Sequence, residues 1–184
     1  MNNFIKSDLY RYGGLKGYKG FLKAYFIPGF RFMFHHRIVN SASKYSLRWF
    51  FNRLWLLHYT FKYGFQIPLT TQIGYGFYIG HFGTIIINPK AIIGNNCNIT
   101  SGVTIGQTNR GLLKGVPIIG DQVWIGSNCT IVGGIIIGNN VLIAPNSYVN
   151  INVPSNSIVI GNPAQVIPRS NAVESYIEFI LINQ

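Results

Sequence analysis

The sequence predicts a mainly β solenoid of short stacked strands, with an α-helical segment before it and a short helix after it. Aliphatic residues recur every six positions, a multiple of the strand period of two that does not fit 3.6 residues per helical turn. Glycine often follows the repeated residue, where each short strand has to turn. Charge and aromatic content also change abruptly near residue 65, which divides the 184 residues into two regions.

Composition separates these regions further. The chain carries a formal charge of +11, and residues 1–64 hold eleven Lys and Arg against one Asp, whereas residues 65–184 are close to neutral. A hydrophobic fraction of 48% excludes intrinsic disorder. Two cysteines are too few for a disulfide framework. Because we find neither a signal segment nor an apolar run long enough to cross a membrane, we expect a cytoplasmic protein.

The first region, residues 1–64, is basic, aromatic and predicted to be helical. Pro28 and Gly29 interrupt it, and the remaining pattern predicts helices over 31–40 and 45–63. Such helices can pack on the first coil of the solenoid, bind nucleic acid or lie on anionic lipid. No nucleic-acid recognition motif accompanies the charge, so we expect no nucleic-acid partner. Packing alone leaves ten net positive charges unexplained, and we therefore expect peripheral contact with an anionic inner membrane face.

The second region, residues 65–168, carries the repeat. Its aliphatic rungs keep a spacing of six except for a step of eight after Ile85 and a step of fourteen after Ile105. The rungs are Ile67, Ile73, Ile79, Ile85, Ile93, Ile99, Ile105, Ile119, Ile125, Ile131, Ile137, Ile143 and Val149. Stacked turns of this kind bury a column of isoleucine and pair their backbones between coils. Cys97 and Cys129 are expected to be small reduced core residues.

Two further features interrupt or end the repeat. The step of fourteen contains a polar, cationic excursion over residues 107–115, which favours a functional loop. Residues 169–184 follow the repeat, and Asn171 and Glu174 have the spacing of a helix capping box. We therefore predict a short C-terminal helix that packs on the solenoid or on a neighbouring subunit.

The only histidine of the repeat, His81, is the candidate for chemistry. As the third residue of its hexad it falls on the outside of a turn, within reach of a ligand. Tyr75, Tyr78 and Phe82 surround it in sequence and are expected to form an apolar wall that keeps the imidazole neutral, as a general base requires. The alternative is a surface histidine without a role. His35, His36 and His58 are expected to be ordinary helix residues.

The segments Ile79-Gly80-His81-Phe82-Gly83-Thr84 and Ile99-Thr100-Ser101-Gly102-Val103-Thr104-Ile105-Gly106 resemble the catalytic part of serine acetyltransferases and of related capsule and exopolysaccharide O-acetyltransferases. The whole repeat, from residue 67 to about 168, resembles the hexapeptide-repeat acyltransferases. This resemblance implies a left-handed parallel β-helix with three hexads per coil, a homotrimer, and direct transfer from acetyl-CoA with His81 as general base. It implies no metal; a γ-type carbonic anhydrase would need three histidines.

The resemblance also implies where coenzyme A binds, in a groove between adjacent subunits. The pantetheine arm is expected to lie along the small residues Gly106, Ser127 and Ala144. The nucleotide is expected near Arg169 and the turn that contains Gly161 and Ala164, and the loop cations Arg110 and Lys114 are expected near the phosphates. Tight turns and solvated loop charges are the alternatives for these residues.

Two departures from serine acetyltransferases bear on the acceptor. Gln66 stands where those enzymes have the Asp of an Asp-x-His-Pro segment, and Gly115-Val116-Pro117 stands where they have Arg-His-Pro. Both changes remove groups suited to a zwitterion. We therefore expect Gln66, Tyr75, Tyr78 and Phe82 to contact a sugar hydroxyl or a lipid-linked glycan. Serine is the alternative acceptor, an acyl carrier protein is an alternative donor, and a non-enzymatic scaffold is the competing class.

Overall fold

The structure is a computed structural model that describes residues 2–181. Its first part contains four helices, α1 (Asn3–Tyr10), α2 (Gly17–Tyr25), α3 (Pro28–Ser41) and α4 (Leu47–Tyr63). The last two correspond to the helices predicted over 31–40 and 45–63. Ser46 caps α4 by accepting a hydrogen bond from the Trp49 amide at 3.1 Å. α1 and α2 were not predicted from the sequence; both are short, Gly13 and Gly14 lie between them, and α2 begins at Gly17.

Fifteen short strands follow the helices, and all but the last pair form parallel ladders. They are β1 (Phe65–Gln66), β2 (Gln72–Ile73), β3 (Tyr78–Ile79), β4 (Ile85–Ile87), β5 (Ile92–Ile93), β6 (Asn98–Ile99), β7 (Thr104–Gly106), β8 (Ile118–Ile119), β9 (Val123–Ile125), β10 (Thr130–Val132), β11 (Ile136–Ile137), β12 (Val141–Ile143), β13 (Tyr148–Val149), β14 (Ser157–Ile160) and β15 (Gln165–Pro168).

From β1 to β13, every third strand belongs to the same sheet, which is the topology of a three-sided solenoid. Sheet A contains β1, β4, β7, β10 and β13; sheet B contains β2, β5, β8 and β11; sheet C contains β3, β6, β9, β12 and β14, with β15 antiparallel at its edge. The isoleucine rungs point into one continuous core. This confirms the predicted fold class of a mainly β solenoid preceded by helices. Both cysteines are free and buried, as expected.

The register of the sheets corrects one step of the predicted ladder. Ile79 pairs with Ile99, and Ile87, rather than Ile85, pairs with Ile105. The step of eight therefore lies between Ile79 and Ile87 and includes His81. The sequence pattern was ambiguous here because both Ile85 and Ile87 are buried, on either side of the exposed Ile86. The first turn between sheets C and A is thus two residues longer than its counterpart in the next coil.

The predicted C-terminal helix is wrong for the residues that the structure describes. Residues 170–176 form turns and residues 178–181 are irregular. Asn171 does contact the Glu174 carboxylate, but no helix follows. This C-terminal tail instead crosses the outer face of sheet C, where Ala172, Val173 and Ile177 pack on Leu142. Left-handed backbone at Ser175, with a φ of 64°, and at Phe179, with a φ of 53°, interrupts the helical path; residues 182–184 lie outside the described part of the chain.

The helical segment closes the open end of the solenoid. The first coil has backbone groups with no earlier coil to pair with, and side chains of α1 and α3 supply the missing partners. Asp8 accepts a hydrogen bond from the Phe77 amide at 2.8 Å, and Ser7 accepts one from the Gly76 amide at 3.0 Å. Arg37 donates to the Ile73 carbonyl at 2.7 Å and also pairs with Asp8.

Candidate active site

His81 lies on the lengthened turn between β3 and β4, and its side chain is exposed. The C-terminal end of α4 is hydrogen-bonded to this turn. The Gly83 amide donates to the Tyr63 carbonyl and the Ile85 amide donates to the Gly64 carbonyl, both at 3.1 Å. Gly64 ends α4 with a positive φ of 76°. The helix C-terminus therefore fixes the position of the turn that carries the imidazole.

A cavity of about 500 Å³ opens beside the imidazole. Tyr78, Asn98 and Trp124 of sheet C form its floor, and Gly80 and Thr100 lie at its edge. The C-terminal tail and the residues that follow α1 supply the remaining walls: Ser175, Tyr176, Glu178 and Phe179 on one side, and Arg11, Tyr12 and Gly13 on the other, with Ile27. His81 thus borders a concave site built from three separate parts of the chain, the default location of a small-molecule site.

Charge in this cavity comes from one guanidinium and one carboxylate. Arg11 is buried, and its three nitrogens donate to the Gly76 carbonyl at 2.8 Å, the Asn98 side chain at 2.6 Å and the Glu178 carbonyl at 2.9 Å. Burial lowers the pKa of Arg11 from its usual value. Glu178 is exposed and is the only acidic residue among the described residues that line the cavity. The cavity therefore presents charges of both signs close to His81.

Hydroxyl groups align with His81 along the solenoid. The strand register places His81, Ser101 and Ser127 at equivalent positions of successive turns between sheets C and A. They directly follow Gly80, Thr100 and Gly126. The Ser127 hydroxyl donates to the Thr100 hydroxyl at 3.2 Å, and Thr100 donates to the Ile125 carbonyl at 3.0 Å. This edge of the solenoid, the C–A edge, is polar and lined by small side chains.

Buried cysteines do not contribute a nucleophile. Burial raises the pKa of Cys97 to about 12 and that of Cys129 to about 11, so both thiols are protonated at neutral pH. Among the described residues there is also no cluster of three or more His, Cys, Asp or Glu that could hold a metal ion. The exposed imidazole is therefore the group at this site best suited to move a proton.

Of the residues expected to contact the acceptor, Tyr78 is the one that lies in the cavity with His81. Tyr75 stacks on Phe4, with ring centroids 4.0 Å apart and rings 8° from parallel. Phe82 is 65% exposed and approaches Tyr63, and Gln66 lies on β1 beside Ile86. Chain neighbours of His81 diverge because successive residues of a turn point in different directions.

The residues expected to bind coenzyme A occupy three different edges of the solenoid. Ser127, Ala144, Gly161 and Ala164 lie at or near the C–A edge, with His81. Gly106, Arg110 and Lys114 lie where sheet A turns to sheet B, and Arg169 lies where sheet B turns to sheet C, since its amide donates to the Asn156 carbonyl at 2.7 Å. One chain therefore does not bring the whole set together.

The excursion between β7 and β8 is a small hairpin. Thr108 and Gly115 exchange backbone hydrogen bonds at 3.0 and 2.9 Å, and the tip is exposed, with Leu112 fully so. Arg110 and Lys114 are both exposed. The hairpin thus projects two cations away from the chain that carries it.

Sequence reasoning missed the walls that the tail and the residues after α1 contribute. Arg11, Trp124, Tyr176 and Glu178 are far apart in the sequence and meet only because the tail folds back over sheet C. A weak signal was present: Trp124, Leu142 and Ile158 are outward-facing apolar positions of successive strands. Such a row indicates a surface that another segment covers.

Comparison with known proteins identifies relatives. The family of bacterial transferases with six hexapeptide repeats matches residues 117–150. A serine acetyltransferase of Synechococcus elongatus is 34% identical over 144 residues, which are 78% of this chain and 58% of that protein. The chain spans 30–58% of the length of the curated relatives it matches.

Solved structures agree with these relatives. The Neisseria gonorrhoeae serine acetyltransferase in complex with serine has a TM-score of 0.67 and 30% identity, covering 89% of this chain and 67% of that one. The Brucella abortus serine acetyltransferase in complex with coenzyme A has a TM-score of 0.72 and 26% identity, covering 92% and 68%.

These relatives correct the expected subfamily and acceptor. The matching proteins are serine acetyltransferases, so the assignment to a capsule or exopolysaccharide O-acetyltransferase acting on a sugar is wrong. Gln66 and Gly115-Val116-Pro117, on which the sugar acceptor was predicted, lie outside the lining of the cavity beside His81, whereas Arg11 and Glu178, from parts of the chain outside the repeat, belong to it. With its solenoid, the position of His81 and this similarity, the chain belongs to the family of hexapeptide-repeat acetyltransferases.

Proposed function

We propose that this protein transfers an acetyl group from acetyl-CoA to the hydroxyl of serine. The observation that carries this proposal is the position of His81 at the edge of a cavity of about 500 Å³ that also contains Arg11 and Glu178. An amino acid carries an ammonium and a carboxylate, and this cavity offers a charge complementary to each. The serine complex of the Neisseria gonorrhoeae relative supports the same acceptor.

His81 acts as the general base in this proposal. It accepts the proton of the serine hydroxyl as the hydroxyl oxygen attacks the thioester carbonyl, and the thiolate of coenzyme A leaves. General-base catalysis contributes roughly 10²–10⁴ in rate. Both cysteines are buried and their pKa values are raised, so neither is suited to form a thioester intermediate, and the proposal takes the transfer to be direct.

Glu178 acts as the acceptor-binding residue. It lines the cavity and is exposed, and its backbone carbonyl accepts a hydrogen bond from the Arg11 side chain at 2.9 Å, which ties this part of the tail to the end of α1. An exposed carboxylate opposite a bound ammonium contributes to affinity more than to the chemical step. Arg11 directs its own hydrogen bonds at protein oxygens, so its contribution to the acceptor carboxylate is one of long-range charge.

Acetyl-CoA, in this proposal, binds between two subunits of a homotrimer. The support is the separation of the expected coenzyme A residues onto different edges of the solenoid. A neighbouring subunit that places its hairpin cations near the C–A edge completes the set. The Brucella abortus relative supplies the precedent for coenzyme A itself.

Steady-state kinetics with serine and acetyl-CoA test this function. We expect His81→Ala to lower kcat by at least about 100-fold with an unchanged melting temperature.

Glu178→Gln is expected to raise KM for serine about tenfold and to leave KM for acetyl-CoA unchanged. Glu174→Gln, on the same tail but outside the cavity lining, is the matched control. Full activity of His81→Ala, or no transfer to serine by the unchanged protein, would contradict the proposal.

A further inference from the structure

One face of α4 is apolar, exposed and unpartnered among the residues that the structure describes. Seven large side chains on it are each 43–79% exposed. They are Leu47, Phe50, Phe51, Leu54, Trp55, Leu57 and Phe61. Most follow the i, i+3, i+4, i+7 spacing of one helical stripe, whereas Leu56, Tyr59 and Tyr63 are buried against the rest of the protein. We call the exposed side the α4 face.

The α4 face is large for a monomer surface. Seven side chains of about 200 Å² each, a little over half exposed, present on the order of 800 Å² of apolar area. The largest apolar patch of an ordinary monomer is about 300–600 Å². A surface of this size indicates an interaction rather than the usual scatter of exposed apolar residues.

Charge around the face is of one sign. Arg48, Arg53 and Lys62 lie on the same helix, and Lys44 lies just before it. The only acidic residue of residues 2–64 is Asp8, which is buried and paired with Arg37. Cations around the α4 face therefore have no carboxylate within the helical segment to pair with.

α2 and the residue after it carry a second exposed surface of similar composition. Tyr18, Leu22 and Phe26 are exposed at a spacing of four, with Lys19 and Lys23 between them. The Arg31 guanidinium lies 5.9 Å from the Phe26 ring centroid and 5.5 Å from the ring centroid of Tyr59, which is buried on the side of α4 opposite the α4 face. Apolar and cationic residues are interleaved on both helices.

This combination favours an anionic bilayer over a second copy of the chain. Two α4 faces in contact would bring eight cations together without a carboxylate, whereas anionic headgroups would neutralise them. Aromatic side chains prefer the boundary between headgroups and acyl chains. Among the described residues, no helix has the length and hydropathy to cross a membrane, so insertion stays shallow.

We propose that the α4 face binds the surface of a membrane that contains anionic lipid. The aromatic side chains enter the interface, and the flanking Lys and Arg contact the lipid phosphates. This interaction goes beyond acetyl transfer and does not depend on it.

Co-sedimentation with vesicles tests the proposal with the full-length protein. We expect binding to vesicles of phosphatidylcholine mixed with phosphatidylglycerol at low salt, weaker binding at high salt, and little binding to phosphatidylcholine alone.

Lys62→Gln should weaken binding about fivefold, since one cation near an anionic surface contributes ~1 kcal/mol. Phe61→Ser should weaken it about tenfold or more, from the lost burial of one aromatic ring.

Matched controls separate this outcome from the alternatives. Lys90→Gln and Ile136→Ser change an exposed cation and an exposed apolar residue on the solenoid and should leave vesicle binding unchanged. Circular dichroism of each variant establishes that it is folded. No binding at either salt concentration, or equal binding to both vesicle types, overturns the proposal. A smaller oligomer of Phe61→Ser by light scattering, with vesicle binding unchanged, assigns the face to a second copy instead.

Discussion

Two histidines have different roles because one is exposed and the other is buried. His81 is exposed at a turn beside a cavity, where an imidazole can exchange protons with a substrate. His36 is fully buried in α3, with Nε2 3.3 Å from the Pro68 carbonyl and no partner for Nδ1 among the described residues. Burial lowers the pKa of His36 to about 4. His36 is therefore a neutral core residue whose protonation opposes folding.

Stability should accordingly fall as the pH is lowered through the range set by His36. The unfolded chain gains a proton on this residue near pH 6.5, whereas the folded chain resists until about pH 4. The contribution of neutral His36 to the free energy of unfolding is fully present above pH 6.5. It is lost as the pH falls from 6.5 to about 4, by up to about 3 kcal/mol. Urea denaturation at a series of pH values measures it.

His36→Phe is the variant that isolates this effect. It should flatten the pH dependence between pH 6.5 and 4. A residual slope of the same sign is expected from His35, whose pKa is also lowered by burial. Parallel stability profiles for the variant and the unchanged protein would disprove the assignment to His36.

At the scale of elements, α1 and α3 act as a cap on the first coil. A solenoid stacks each coil on the previous one, so its first coil needs a substitute for the missing neighbour. Here the substitute consists of side chains: Ser7, Asp8, Arg11 and Tyr12 of α1 and its C-terminal end, and Arg37 of α3, reach the backbone between residues 73 and 79. Two of the eleven cations of the helical segment thus have a structural role.

Asp8→Ala should destabilise the protein by about 3–5 kcal/mol, because it leaves Arg37 buried without its counter-ion and the Phe77 amide without an acceptor. Asp8→Asn keeps an acceptor for the amide and should lose less. Thermal melting measures both, with Lys19→Ala on the exposed side of α2 as control. A melting temperature of Asp8→Ala within a degree or so of the unchanged protein would show that the cap is dispensable.

The predictability of elements follows the range of the contacts that form them. Strands and turns of the repeat were predictable because each hexad pairs with hexads of similar sequence in the neighbouring coils. α3 and α4 were predictable from Pro28 and from a long apolar periodicity. The C-terminal helix does not form because the backbone at Ser175 and Phe179 adopts a positive φ, which the spacing of apolar residues does not indicate, while Val173 and Ile177 still pack on Leu142.

At the scale of the whole molecule, the candidate site is divided between edges of the solenoid. The imidazole and the acceptor cavity lie at the C–A edge, and the hairpin with Arg110 and Lys114 lies at the far end of sheet A. In the proposed homotrimer, these two edges of neighbouring subunits meet at each interface, since each subunit of a closed ring presents the same two surfaces.

Complementation between inactive chains tests this division. His81→Ala lacks the base, and the double variant Arg110→Ala/Lys114→Ala should bind acetyl-CoA weakly. Random mixed trimers refolded from equal amounts of both should recover about a quarter of the unchanged activity at low acetyl-CoA, since half of the bases and half of the hairpins meeting at each interface are intact. Activity that stays at the level of the separate variants would place the whole site within one chain.

The sequence alone determined the solenoid, the core ladder, the candidate base and the charged helical segment, because each is written in local spacing and composition. Tertiary structure decided the rest. It placed the two extra residues of the ladder at the His81 turn, turned the tail from a helix into a cover for sheet C, and brought Arg11 and Glu178 into the cavity. Those outcomes depend on contacts between residues from 18 to 167 positions apart, which no local pattern records.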